Sequence, residues 1–202
     1  YLQTRSDITV HDSERLLANW VAPGQSSPIS KPAAFQLDGH DVIEYRTSEA
    51  TVYVTTVLAL DLVKLDGLES GELFSWNVRQ ALGKTKVNKA IAASVRQQSE
   101  HKNFMLFHNG LTILSEDVDH DKDTFKINGY SVVNGCQSLT TLHENRAHIT
   151  DELRILTRVI KVSPQSELAA KTTRNSNNQN SISARDLQSN STLQRRLQTE
   201  FR

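Results

Sequence analysis

The sequence predicts an α+β fold, mixed α/β in its element order, with a central mixed or antiparallel sheet and flanking helices. Three observations point there: β-branched runs of strand length, apolar residues at helical spacing between them, and glycine or Asn-Gly breaks separating the two. At 202 residues the chain is long enough to bury a sizeable core.

Residues 1–40 are expected to be the end of a preceding region. Ala22 to Lys31, with Pro23, Gly24, Ser26, Ser27 and Pro28, has no apolar periodicity and reads as a loop. The domain proper is expected over 41–202. It opens on two strands, Asp41–Arg46 and Thr51–Thr56, both rich in β-branched and aromatic residues. Val57, Leu58, Leu60, Leu62, Val63 and Leu65 then predict a short amphipathic helix to Leu68.

After the run Leu73–Arg79 and a break at Gly83, Val87, Ile91 and Val95 recur four apart and predict a helix over Lys86–Gln98. Phe104–Phe107 and Leu111–Leu114 are expected as strands around Asn109-Gly110, a pair that favours the positive φ of a tight turn. The polar stretch Glu116–Asp123 reads as a solvated loop. A second hairpin is expected from Phe125–Ile127 and Tyr130–Val133 around Asn128-Gly129, and Asn134-Gly135 then leads into a helix over Gln137–Glu144.

Leu153–Val162 is the clearest strand. Ser163 and Pro164 are suited to cap and open a helix reaching Arg174, because proline's missing N–H is unpaired in a first turn anyway. Ser183 and Asp186 imitate a capping box for a last helix, Ala184–Glu200. The chain begins at Tyr1 without methionine and stops at Arg202 inside that helix, so it is expected to be an excerpt truncated at its C-terminal end.

Composition narrows the function classes. Lys and Arg total 23 and Asp and Glu total 23, so no global positive field draws in nucleic acid and any anion site must be local. The lone Cys136 can form no intrachain disulfide and no thiolate pair for zinc. No apolar run approaches the roughly 20 residues of a membrane span, and no secretory leader pattern opens the chain. A cytoplasmic location without a membrane partner is expected.

The candidate site residues are mostly carboxamides. Asn175, Asn177, Asn178, Gln179 and Asn180 crowd into six positions between Arg174 and Arg185. A carboxamide donates and accepts hydrogen bonds without titrating near neutral pH, so it positions a ligand rather than moving protons. Such a run can build a turn from its own backbone bonds, or read a base edge bidentately. Both readings stand on sequence.

Arg79, with Asn77 two residues before it, offers a donor fork for a phosphate or carboxylate, or else a structural ion pair. Asn109-Gly110 is explained by a turn when taken singly. Asn134-Gly135-Cys136-Gln137-Ser138 places a glycine between strand and helix, where backbone N–H groups and Gln137 suit an anion. It matches neither the phosphate loop nor the dinucleotide fingerprint. Cys136 reads first as a packing residue and second as a nucleophile with His108 or His143 as base. The histidine spacings and the Asp117–Asp123 alternation give no metal motif, since the calcium loop's central glycine and terminal glutamate are missing.

Five motifs in order carry a resemblance: Leu73–Gly83, Val87–Ile91, Phe104–Leu114, Val132–Ser138 and Asn175–Ile182. Together they resemble the abortive-infection phage-resistance (AIPR) family of bacteria, over about Val42 to Arg202. His108 stands where the family usually has a second Asn, and Ser138 where Thr is commoner. The resemblance implies a defence-associated protein, with partner proteins of a defence system.

It carries no secure reaction, so catalytic residues and cofactors stay unassigned and no metal is called. The expectation is a domain that binds nucleic acid or a nucleotide through Asn77, Arg79, Asn109, Gly110, Asn134, Gly135, Gln137, Arg174, Asn177 and Gln179. The alternatives are a metal-dependent nuclease or nucleotide hydrolase, and a structural protein-interaction module.

Overall fold

A computed structural model describes residues 28–76, 86–163 and 165–178, with the side chains of 86, 87, 177 and 178 excepted. Asn77, Arg79, Gln179 and the expected helix Ala184–Glu200 lie outside these residues. Among the described residues six strands form one sheet: β1 (Ala33–Gln36), β2 (Ile43–Arg46), β3 (Thr51–Leu58), β4 (Leu111–His120), β5 (Thr124–Asn134) and β6 (Arg154–Lys161), in the order β1-β5-β4-β6-β3-β2. All neighbours pair antiparallel except β4 and β6, so the sheet is mixed and the α+β expectation is met. The sheet begins ahead of residue 41, since β1 pairs with β5.

Described helices are α1 (Ala59–Leu62), α2 (Lys86–Arg96), α3 (Phe104–Phe107), α4 (Cys136–Glu144) and α5 (Glu167–Asn178). Side chains alternate across a strand, so the β-branched runs of β3 and β6 send Val57, Ile155 and Val159 to one face. There they pack with Ile91 and Val95 of α2 and Leu139 and Leu142 of α4 in the larger core. On the opposite face Leu114, Val133 and Ile160 meet Trp76 and Ala169 of α5 in a smaller cluster.

Several sequence expectations are corrected. Phe104–Phe107 is a helical turn: Phe104 is buried while Leu106 and Phe107 are 73% and 59% exposed, a pattern strand alternation would not give. The His108 ring lies 3.9 Å from that of Phe104, four residues apart as neighbours on a helix are. Of the expected loop Glu116–Asp123 only Asp121–Asp123 form a turn, because β4 continues to His120 with Asp117 opposite Asn128 and Asp119 opposite Lys126. Asp117 finds a cross-strand cation. Lys161 donates to Asp117 at 2.5 Å, and this bond holds the Asp117 carboxyl below its usual range.

Asn128-Gly129 is no hairpin either. β5 runs straight through, and Gly129, at φ +59°, leaves room for the Glu116 side chain where a Cβ would otherwise sit. Ser115 stitches this kink, its hydroxyl lying 2.8 Å from the Asn128 carbonyl and 2.7 Å from that of Asp117. The helix expected over Val57–Leu68 shrinks to the single turn of α1, since Val57 and Leu58 are held in β3 by Ile155 and Arg154. Finally α5 starts at Glu167 rather than Pro164. Ser166 accepts from Ala169 N–H at 3.1 Å and serves as its cap.

Candidate functional site

Two glycines bring the sequence motifs together. Gly110 (φ +77°) joins α3 to β4 rather than turning a hairpin, and a Cβ there would overlap the carbonyl oxygen of Leu156 on β6. Gly135 (φ +92°) ends β5 and opens α4; a Cβ on it would overlap the Leu111 side chain and lie 3.0 Å from the Gly110 carbonyl oxygen. Asn109-Gly110 and Asn134-Gly135 therefore meet where β4 starts and β5 finishes. The bulge between Thr112 and Ile113 sets the local register, with Thr112 opposite Asn134.

The amide run reaches the same place. Asn175 to Asn178 are not a loop but the last turns of α5, and the Asn134 side chain donates to the Ser176 carbonyl at 2.7 Å. Arg174 is exposed on the same helix, and Asn177 lies in its final turn. Across the sheet Thr112 also faces Arg158, whose Nη2 donates to the Thr112 hydroxyl at 3.0 Å. Asn134, Thr112 and Arg158 thus form a polar row over three neighbouring strands on the face that carries α5.

Gln137 points elsewhere. With Thr140 and Glu144 it lines one wall of a groove of about 390 Å³ between α2 and α4, faced by Asn88, Lys89 and Arg96. Sequence reasoning missed Arg158, Lys89 and Arg96. The signal for the last two was available, since Asn88, Ala92 and Arg96 recur four apart on one stripe of a helix whose other stripe is Ile91 and Val95.

Cys136 is a packing residue. Burial pushes its thiol up to about 11, against a hydrogen bond with Thr140 that lowers it. The proposed bases are engaged elsewhere: His143 Nε2 lies 3.4 Å from Glu69, and burial lowers the pKa of His108, which stacks on Phe104. Because the thiolate is the reactive form, the native chain is expected to resist labelling by Ellman's reagent at pH 8 and to react fully in denaturant. Equal rates in both conditions would overturn the assignment. The raised value keeps the thiol neutral in the fold, so its contribution to stability is full below the unfolded thiol's pKa and is lost as pH rises toward about 11.

Among the described residues no group of three or more His, Cys, Asp or Glu side chains is placed to hold a metal ion, and no helix is long and apolar enough to cross a membrane. No curated protein and no solved structure matches the chain. The model of one family, described as AIPR protein, does match, over residues 74–202. That span takes in the Gly110–Gly135 junction, the groove and α5. With more than half of its length matched, the chain belongs to the AIPR family, whose name denotes abortive-infection phage resistance.

Proposed function

We propose that this is an anti-phage defence domain that binds nucleic acid or a nucleotide through local arginine and carboxamide groups. The supporting observation is the meeting of Gly110, Asn134 and Gly135 with the Ser176 turn of α5, which gathers distant motifs of the sequence at one corner of the sheet. In this reading Arg79 and Arg174 contact phosphate. Asn77, Asn109, Asn134, Asn177 and Gln179 hold base or sugar, while Gly110 and Gly135 let Leu156 and Leu111 pack against the backbone that carries Asn109 and Asn134.

A neutral chain binding phosphate through a few local cations depends on salt weakly but measurably. Within the same reading, the AIPR-like domain acts in the cytoplasm together with other defence proteins. The test is titration of the pure chain with nucleotides and oligonucleotides at low salt. Binding weakened about tenfold by Arg79→Ala or Arg174→Ala is expected, the loss of one charge-assisted contact. Absence of any binding weakened by Arg79→Ala would sink the proposal. Magnesium-dependent cleavage, abolished by one carboxylate substitution, would favour a nuclease instead.

A further inference from the structure

We infer that the groove between α2 and α4 is a nucleotide site, with Arg96 as the group that takes the phosphate. The inference rests on the nucleotide arm of the function proposed above but moves the phosphate to a residue outside the five motifs.

The two helices run side by side in the same direction: Asn88 faces Gln137 at one end, and Arg96 reaches Asn145 at the other. Arg96 is exposed, yet it is held. Its Nε donates at 3.0 Å to the Oδ1 of Asn145, a residue only 7% exposed. Asn145 in turn cannot flip, because its Nδ2 donates to the Thr141 carbonyl at 2.8 Å and its backbone N–H bonds to the same turn. The oxygen therefore faces Arg96 by necessity.

The consequence is a guanidinium oriented before any ligand arrives. Its Nη groups make no other hydrogen bond among the described residues, and fixing the side chain in advance removes an ordering cost that binding would otherwise carry. Lys89 is exposed on the same wall and forms no ion pair among the described residues. Glu144 also lines the groove, so among the described residues its charged groups are two cations and one carboxylate.

Size and lining select the ligand. About 390 Å³ lies at the small end of ligand pockets, enough for a mononucleotide and too little for a folded nucleic acid. Ala92 and Ala93 leave α2 flat where longer side chains would fill the groove. From Arg96 to Asn88 the helix rises about 12 Å, comparable to an extended nucleoside monophosphate. A phosphate on Arg96 would leave the sugar and base to run along the groove past Ala92 and Ala93.

The test titrates the 202-residue chain with adenosine and guanosine 5′-monophosphates, inorganic phosphate, adenosine, and a single-stranded oligonucleotide. A monophosphate is expected to bind, with Arg96→Ala weakening it about tenfold or more and Arg96→Lys also weakening it through loss of the planar fork. Glu144→Gln should tighten binding by removing like charge. Inorganic phosphate should compete and adenosine should compete poorly.

Unchanged monophosphate affinity in Arg96→Ala overturns the groove assignment, as does failure of every monophosphate to bind. If the oligonucleotide still binds in those cases, only the groove is lost and the broader function stands. If no probe binds, both are lost.

Discussion

Gly110→Ala is expected to destabilise the domain by about 3 kcal/mol or more, the sum of a left-handed backbone and a steric overlap that only backbone movement relieves. At φ +77° the new Cβ overlaps the Leu156 carbonyl oxygen and sits 3.1 Å from its carbonyl carbon. Neither atom can swing away, because Leu156 is paired with Thr56 in the interior of the sheet. Gly39 supplies the control. Its φ is nearly the same, +79°, but no atom lies within 4 Å of a Cβ there. Gly39→Ala should therefore cost only about 1 kcal/mol, the conformational part alone. Urea denaturation of the two variants separates the effects, and equal losses would show that contact with β6 contributes nothing.

His101→Ala should cost a similar amount, about 3 kcal/mol, for a different reason. The ring is 1% exposed and both nitrogens are engaged, Nδ1 with the Thr150 hydroxyl at 2.7 Å and Nε2 with the Val95 carbonyl at 2.8 Å. Since a carbonyl only accepts, Nε2 carries the proton and Nδ1 accepts from Thr150. The ring thereby caps the C-terminal end of α2 and ties it to the segment leading into β6. Removing it leaves a cavity and an orphaned carbonyl at once.

His101→Phe refills the volume but not the bonds, so it should recover part of the loss and no more. Full recovery in thermal unfolding would mean that the hydrogen bonds contribute nothing. Because Val95 directly precedes Arg96, the same substitution loosens the wall that presents the guanidinium.

How much could be read beforehand depended on which physical signal dominated each segment. Leu153–Val162 and Thr51–Thr56 were legible because their β-branched runs pair with each other in the middle of the sheet, where local preference and burial agree. The α2 spacing of Val87, Ile91 and Val95 was equally plain. Where polarity was taken for irregularity, the reading failed. The acidic half of β4 is a strand because it pairs with β5 and its Asp117 meets Lys161 on β6, information held elsewhere in the sequence.

Asn-Gly was legible as a need for positive φ but not as a topology. Gly110 lies in the link from α3 to β4, Gly129 sits at positive φ inside a continuous strand, and neither makes a hairpin. The same split holds for the candidate site. Gly110, Asn134 and Gly135 stood out as motifs, and the structure adds their contact and the Ser176 turn. Arg96 did not stand out, because what distinguishes it is Asn145, a partner just past the end of another helix.

The pairing of β3 with β6 has a consequence for the order in which the chain is made. Thr51 aligns with Lys161, so one long inner edge of β3 waits for a partner synthesised on the order of a hundred residues later. Until then the N-terminal hairpin of β2 and β3 presents an apolar, unpaired edge to the cell. A nascent fragment ending before β6 is thus the species most exposed to wrong strand pairing, and completion of β6 closes the sheet by inserting between β3 and β4.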